Sequence, residues 1–372
     1  MSESLGTLVV AGTYDREKHR ARILLSGLRG QGVVVHEVNV PTWTGVRDKG
    51  TLTVGQQLAA ALRQVLAWPR LVIGYLRAPA HRVLLVPYPG VFEVLLLAPF
   101  AALRGARIAW DLFISPWDTI VNDRRSHPWW HPLPLVLYVV EWLDARLATW
   151  MFLDTSAHAR RFERMMGLRP GRVGNVPLGT DPERFPPRAT APAMRSPLQV
   201  LFYGQYIPLH GLETVVDAAR LLEQRGVPVV WTLAGTGQEH ARITARIAER
   251  GVTSVRQLGW IPAEQLPALM HACDVGLGIF GSTQKALTVI PNKAYELAAT
   301  QTPIVTGDTP AMQDFAPGHP WVIRVPPGDA DALANAVARL ASGGPLPAAP
   351  PLPVVGPREV AESFFTLVGK RP

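Results

Sequence analysis

The chain has 372 residues, 48% of them hydrophobic and 18% charged, which is ample for two folded domains and excludes a disordered polymer. The net charge of +8 is uneven: residues 1–185 hold 22 Lys/Arg against 15 Asp/Glu, and residues 186–372 hold 15 against 14. One cysteine, Cys273, excludes an internal disulfide framework, suits a reducing compartment and sits in Met270-His-Ala-Cys-Asp-Val as a buried helix-end thiol would.

Thr7 to Ala11 has the pattern of a short buried strand, and Gly12-Thr-Tyr follows at once. A helix with apolar Ile23, Leu24, Leu25 and Leu28 ends near Gly30 or Gly32, and Val33 to Val40 is a second strand. Gly12 is a weak phosphate-binding signal. Arg16, Lys18, His19, Arg20 and Arg22 sharpen it, or else form a solvated first turn. Leu52 to Trp68 reads as helix, Val83 to Pro87 as strand, Val91 to Leu103 as apolar helix, and Arg107 to Trp110 as a strand delivering Asp111. The segment Asp111 to Arg125 also carries Asp118. After His127-Pro-Trp-Trp-His-Pro come a helix from about Leu133 to Ala148 and a strand from Trp150 to Leu153. Asp154-Thr-Ser is placed to cap the next helix, and Arg172 to Pro177 is a last strand. Residues 186–197, rich in Pro and Ala, read as a linker between a first domain (1–185) and a second (198–355).

The second half restarts the alternation. Strand Leu198 to Tyr203 meets Gly204-Gln205-Tyr-Ile-Pro-Leu-His210-Gly211 and a helix with apolar Leu212, Val215, Val216, Ala219 and Leu222. Strand Val229 to Ala234 ends at Gly235-Thr-Gly237, and further strands cover Val255 to Trp260, Val275 to Phe280, Pro303 to Gly307 and Trp321 to Val325. Helix Ala330 to Leu340, a Pro-rich stretch from Gly343 to Pro357 and a helix from about Arg358 to Val368 complete the chain. The stretch Phe280 to Gly307 is the most informative: an apolar strand runs into a loop with Lys285, a Pro-Asn-Lys step opens a helix bearing Lys293 and Glu296, and another strand follows. Two ammonium groups, a carboxylate and a helix N-terminus at the carboxyl edge of a parallel sheet suit anions and sugar hydroxyls.

Leu201-Phe-Tyr-Gly-Gln-Tyr-Ile-Pro-Leu-His-Gly-Leu-Glu, Leu233-Ala-Gly-Thr-Gly-Gln-Glu, Leu258-Gly-Trp-Ile-Pro and Phe280 to Gly307 together resemble a GT-B glycosyltransferase of the large retaining family 4. Gly12-Thr-Tyr, Asp111 to Arg124, Asp154-Thr and Val176-Pro-Leu-Gly-Thr-Asp181 extend the resemblance over nearly the whole chain. It implies an α/β GT-B fold: two Rossmann-like domains facing a cleft, with an acceptor-side first domain, a nucleotide-sugar second domain and a terminal segment (356–372) crossing back onto the first. Glu296 matches the second of the family's two glutamates and by that resemblance would bind the ribose; the alternative is a surface carboxylate paired with Lys293. The first glutamate falls at Thr288, so the group that often touches the donor sugar is replaced. The family's arginine and lysine against the diphosphate are replaced by Gln205 and His210, which leaves Lys285 as the natural substitute and Lys293 as a second candidate. Gln301 stands where the family prefers a helix-ending glycine.

Asp111 or Asp118 would orient the donor sugar or the acceptor hydroxyl, or else cap helices and turns. The candidate catalytic set is therefore Asp111, Asp118 and Lys285. The donor set is Gly12, Gly204, Gln205, His210, Gly235, Gly237, Lys285, Thr288, Lys293 and Glu296. Asp329-Ala-Asp331 reads as a helix cap, and no essential metal or cofactor is expected; the nucleoside diphosphate sugar is a co-substrate. The acceptor is expected to be lipid-linked or polysaccharide-building. The basic first half leaves room for a peripheral contact with an anionic membrane, and the Trp129-Trp130 loop for contact with acceptor or membrane. Nucleic acid is not expected, because no basic, aromatic-interleaved block is present. The apolar runs 94–103 and 132–140 fall short of the roughly 20 residues of a spanning helix, so the expected location is cytoplasmic, at most associated with the inner membrane face. Two other readings stay open: a GT-B-shaped subunit without turnover, and a nucleotide-sugar epimerase.

Overall fold

Both halves of the chain alternate buried apolar strands with helices, and each closes into a six-stranded sheet whose strands are all parallel. The structure, a computed structural model, describes residues 6–42, 54–123, 126–190, 194–343 and 346–369. The chain divides into two units, Met1–Leu178 with Gly356–Pro372, and Gly179–Val355. The division falls after Leu178, earlier than the expected domain end at 185; residues 191–193 of the expected linker lie outside the described residues.

Unit 1 contains β1 (Thr7–Gly12), α1 (His19–Gly30), β2 (Val34–Asn39), α2 (Val54–Leu76), β3 (Val83–Val86), α3 (Val91–Leu103), β4 (Arg107–Asp111), α4 (Pro116–Asp118), α5 (Pro132–Leu147), β5 (Trp150–Leu153), α6 (Ser156–Met166) and β6 (Gly174–Asn175). Its strand order is β2-β1-β3-β4-β5-β6. Parallel crossovers are right-handed, so the step from β1 to β2 puts α1 on one face and the opposite steps put α2, α3 and α5 together on the other. The core beneath that second face includes Leu84, Trp110, Met151 and Phe162, each nearly free of solvent contact.

Unit 2 contains β7 (Leu198–Tyr203), α7 (Leu212–Gln224), β8 (Val229–Ala234), α8 (His240–Arg250), β9 (Val255–Leu258), α9 (Leu266–Ala272), β10 (Val275–Leu277), α10 (Asn292–Ala299), β11 (Ile304–Gly307), α11 (Pro310–Gln313), β12 (Val322–Val325) and α12 (Ala330–Ala341). Its order, β12-β11-β10-β7-β8-β9, reverses direction between β7 and β10. A crevice opens at the carboxyl ends of strands where such a reversal occurs. The last helix, α13 (Pro357–Gly369), returns to unit 1 and packs on α1. Gly27 permits this approach, since a Cβ there would stand 1.9 Å from the Pro357 carbonyl oxygen.

Two elements depart most from their sequence pattern. The helix expected to end at Trp68 continues to Leu76 through Pro69, because Leu71 and Tyr75 beyond the proline are fully buried and their packing outweighs one missing N–H; the expected start at Leu52 lies outside the described residues. The strand expected from Arg172 to Pro177 pairs only over Gly174–Asn175. Thr119–Asp123 forms a π turn, and Arg124 and Arg125 lie outside the described residues.

Candidate functional site

The carboxyl ends of β7, β8 and β10 are neighbours in unit 2, and their loops hold most of the predicted donor residues. Gly204 follows β7 with φ +133°, and Gly235 follows β8 with φ +136°, both in backbone regions that favour glycine. A Cβ on Gly235 would stand 1.9 Å from the Gly204 carbonyl oxygen, and one on Gly237 would meet the Tyr206 backbone at 2.6 Å. These glycines let two strand-end loops lie against each other. An added Cβ at Gly204 would point at His210 Cε1 and Lys293 Nζ, each 3.5 Å away. Helix α7 begins at this edge with Gly211 as its N-cap, and α10 begins there with Pro291; neither has a side-chain cap. Their first-turn N–H groups add partial positive charge to the same edge.

Lys293 is 5% exposed, and its ammonium lies 3.7 Å over the Phe202 ring with no hydrogen-bond partner for Nζ. Burial holds its pKa well below the usual lysine range, against a smaller opposing pull from Glu296. Glu296, also buried, accepts a hydrogen bond from Tyr203 Oη at 2.6 Å. The Glu296 carboxylate is thus oriented from inside the sheet. His210 bonds through Nδ1 to the Gln205 carbonyl, and burial, then the Lys293 charge, push its pKa well below the usual value. A neutral imidazole leaves the Lys293 amine as the basic group beside Gly204. Lys285 is buried in the loop after β10 and precedes a short 3-10 turn, Ala286–Thr288. Thr288 Oγ1 donates to the Lys285 carbonyl at 2.9 Å, so the residue replacing the first glutamate closes the turn that positions Lys285.

The unit 1 candidates are arranged differently. Both oxygens of Asp111 accept from Arg20 Nε at 3.0–3.1 Å, and Arg20 Nη1 donates to the Val176 and Pro177 carbonyls. Asp111 has no solvent contact, and through Arg20 it ties α1 to the end of β4 and to the residues after β6. Asp118 is likewise enclosed, accepting from Asn122 Nδ2 at 2.7 Å and pairing with Arg161. Gly12 leads into a corner filled by buried Tyr14, where Thr13 Oγ1 donates to Glu93 at 2.5 Å. A carboxylate rather than a cation faces that corner. The cations expected to sharpen a phosphate site there are partly absorbed by pairing, Arg16 with Glu37 and Arg20 with Asp111. The structure therefore gathers Gly204, Gln205, His210, Gly235, Gly237, Lys293 and Glu296 at one sheet edge, with Lys285 and Thr288 in the loop after β10. It leaves Gly12, Asp111 and Asp118 in unit 1.

Sequence reasoning missed Tyr203 as the partner of Glu296 and Phe202 as the floor under Lys293. A strand ending Leu201-Phe-Tyr-Gly reads as plain core until its register against β10 is known. Gln301 adopts the left-handed conformation (φ +56°) usual for the family's glycine. Its amide donates to Ala298 O and Leu352 O, and its Oε1 accepts from Leu352 N at 2.7 Å, which ties the Pro-rich stretch to the end of α10. Thr155 and Asp329 cap their helices as the sequence suggests, and Cys273 is a buried thiol whose pKa burial pushes up to about 12. No group of three or more metal-ligating side chains occurs among the described residues.

Two doubly wound parallel units, with the candidate site on the second, define a GT-B fold. Residues 197–343 match the family described as Glycosyl transferases group 1, so unit 2 carries a domain of that family. The chain is similar to sucrose-phosphate synthase from Thermosynechococcus elongatus, with a TM-score of 0.67 at 16% identity over 98% of this chain and 94% of that one. It is also similar to Anabaena HepE, solved in complex with UDP and glucose, with a TM-score of 0.61 at 13% identity over 98% and 100% of the two chains. In sequence it is 26% identical over 180 residues to the amylovoran biosynthesis glycosyltransferase AmsK of Erwinia amylovora, a match covering 48% of this chain and 44% of that protein. The chain spans less than half the length of that relative.

Proposed function

We propose that the protein is a glycosyltransferase that moves a sugar from a nucleoside diphosphate sugar to a lipid-linked or polysaccharide-building acceptor, with retention at the anomeric carbon. The observation that carries this reading is the buried, unpartnered Lys293 ammonium above Gly204, beside the Tyr203–Glu296 pair, at the strand-order reversal of unit 2. A buried ammonium with no hydrogen-bond partner costs free energy that the Glu296 charge only partly offsets, and a diphosphate is the anion the reading places against it. As the bond between the sugar and the diphosphate breaks, charge grows on the leaving oxygen. Lys293, Lys285 and the uncapped starts of α7 and α10 would stabilise it. Glu296, aimed by Tyr203, would accept the ribose hydroxyls. The enclosure of Asp111 and Asp118 fits a retaining transfer in which the leaving diphosphate oxygen itself takes the acceptor proton, so no side-chain base is assigned. The names of the similar proteins support the direction: one takes part in amylovoran biosynthesis, and another was solved with UDP and glucose.

The test is saturation-transfer NMR and calorimetry with UDP-, GDP- and TDP-sugars, followed by donor hydrolysis. Binding of at least one donor that Lys293→Met weakens is expected; no binding of any donor would sink the reading. A GT-B-shaped subunit without turnover is the second reading, favoured by the threonine at position 288. It predicts donor binding with neither hydrolysis nor transfer.

A further inference from the structure

Exposed apolar surface is concentrated in one place. Of the 19 large apolar side chains that are exposed among the described residues, 14 lie on α2, α3 and α5, two more are Trp129 and Trp130 just before α5, and only two belong to unit 2. These helices share one face of the unit 1 sheet, with α3 contacting both α2 and α5, so their outer surfaces point the same way. Monomeric proteins rarely leave such a face bare without a use for it.

The charge on this face is of one sign. The three helices carry three acidic residues, Glu93, Glu141 and Asp144, and each is at most 1% exposed. Glu141 points inward to Ser115 Oγ and the Trp117 N–H, at 2.6 and 2.8 Å. The basic residues point outward: Arg63 and Arg70 on α2 and Arg146 on α5 are exposed. Arg63 and Arg70 flank Leu66 along a groove of about 460 Å³. Arg146 stacks 3.5 Å over the Trp142 ring. No helix of the structure, among the described residues, is long and apolar enough to cross a membrane.

We infer that the outer face of α2, α3 and α5 is a docking surface for an anionic lipid bilayer, lying in the plane of the interface without crossing it. The match is chemical. Aliphatic side chains such as Leu66, Ile73 and Val139 enter the acyl boundary, Trp129 and Trp130 sit at headgroup depth, and Arg63 and Arg70 reach lipid phosphates from a groove with an apolar wall. Inward burial of every acid on these helices removes the groups that an anionic surface would repel. The surface lies on unit 1 and is independent of the donor reading on unit 2.

The test is co-sedimentation of the full chain with phosphatidylcholine vesicles, with and without phosphatidylglycerol. Binding only to the anionic vesicles, weakening with salt, is expected. The Arg63→Ser/Arg70→Ser variant should lose about 25-fold in partition coefficient, at about fivefold per arginine near an anionic surface. Leu66→Ser/Ile73→Ser should reduce it further, with circular dichroism unchanged because all four side chains are exposed. Equal binding to neutral and anionic vesicles would overturn the inference, as would no loss in either variant. A concentration-dependent dimer without vesicle binding would overturn it too, and would give the face to a second copy of the chain. Donor calorimetry on the same variants should be unchanged, which separates a failure here from a failure of the donor reading.

Discussion

β4 and β7 are both interior strands of their sheets, and their carboxyl ends treat charge in opposite ways. At the end of β4, Asp111 is fully buried and paired: Arg20 Nε bonds both its oxygens, and Arg20 Nη1 bonds two backbone carbonyls. Beside the end of β7, Lys293 is buried and its ammonium has no hydrogen-bond partner. A matched buried charge is a strut within the fold. An unmatched one is a cost that persists when a ligand repays it. The contrast reassigns roles that residue type alone leaves open, because Asp111 looks as chemical as Lys293 until its partner is seen.

The comparison can be broken most directly at Arg20. Arg20→Met strands the Asp111 carboxylate in the core and should cost about 3–5 kcal/mol in urea unfolding. The double variant Arg20→Met/Asp111→Leu should recover a large part of that loss. If the single change is nearly neutral, the pair is no strut.

The pH response sharpens the contrast next. Burial, supported by neighbouring carboxylates, drives Glu141 up to about 8 and Asp144 up to about 9. A raised carboxyl stabilises the fold fully below its unfolded value near 4, and that contribution is lost as pH rises through the folded value. The urea midpoint should therefore fall between about pH 5 and pH 9, and Asp144→Asn should flatten the slope by about 1.4 kcal/mol per pH unit. Lys293 has the opposite sign. Its pKa is depressed from 10.5, so its penalty is absent above that value and grows as pH falls toward the folded value. A midpoint that does not move with pH would remove this distinction.

Lys293→Met should have two effects of opposite direction: stability higher by about 1–3 kcal/mol, and donor affinity lower by about 10–100-fold, from loss of one charged contact. Lower stability in this variant would show that the ammonium is satisfied in the free protein. The smallest effect belongs to Gln301. Gln301→Gly relieves about 1 kcal/mol of left-handed strain and removes three hydrogen bonds, so the net change should stay within about 1 kcal/mol. Hydrogen exchange at the Leu352 amide should nonetheless accelerate, since Gln301 Oε1 is its acceptor.

Much of this molecule is legible before folding. Alternating apolar runs and Gly-ended strands announce two parallel sheets, because a strand buried on both faces is apolar throughout and a close loop crossing needs glycine. The Pro-Asn-Lys step and Glu296 mark the edge where a helix start meets anions and hydroxyls. Long-range pairing is not legible. The continuation of α2 past Pro69 depends on burial of Tyr75, and the use of Gln301 in place of glycine depends on Leu352, 51 residues away. The exchange of roles between Asp111 and Lys293 has the same origin. Whether a buried charge is a strut or a site is set by what lies within about 3 Å of it, and only tertiary structure brings Arg20 to Asp111 while leaving Lys293 over the Phe202 ring.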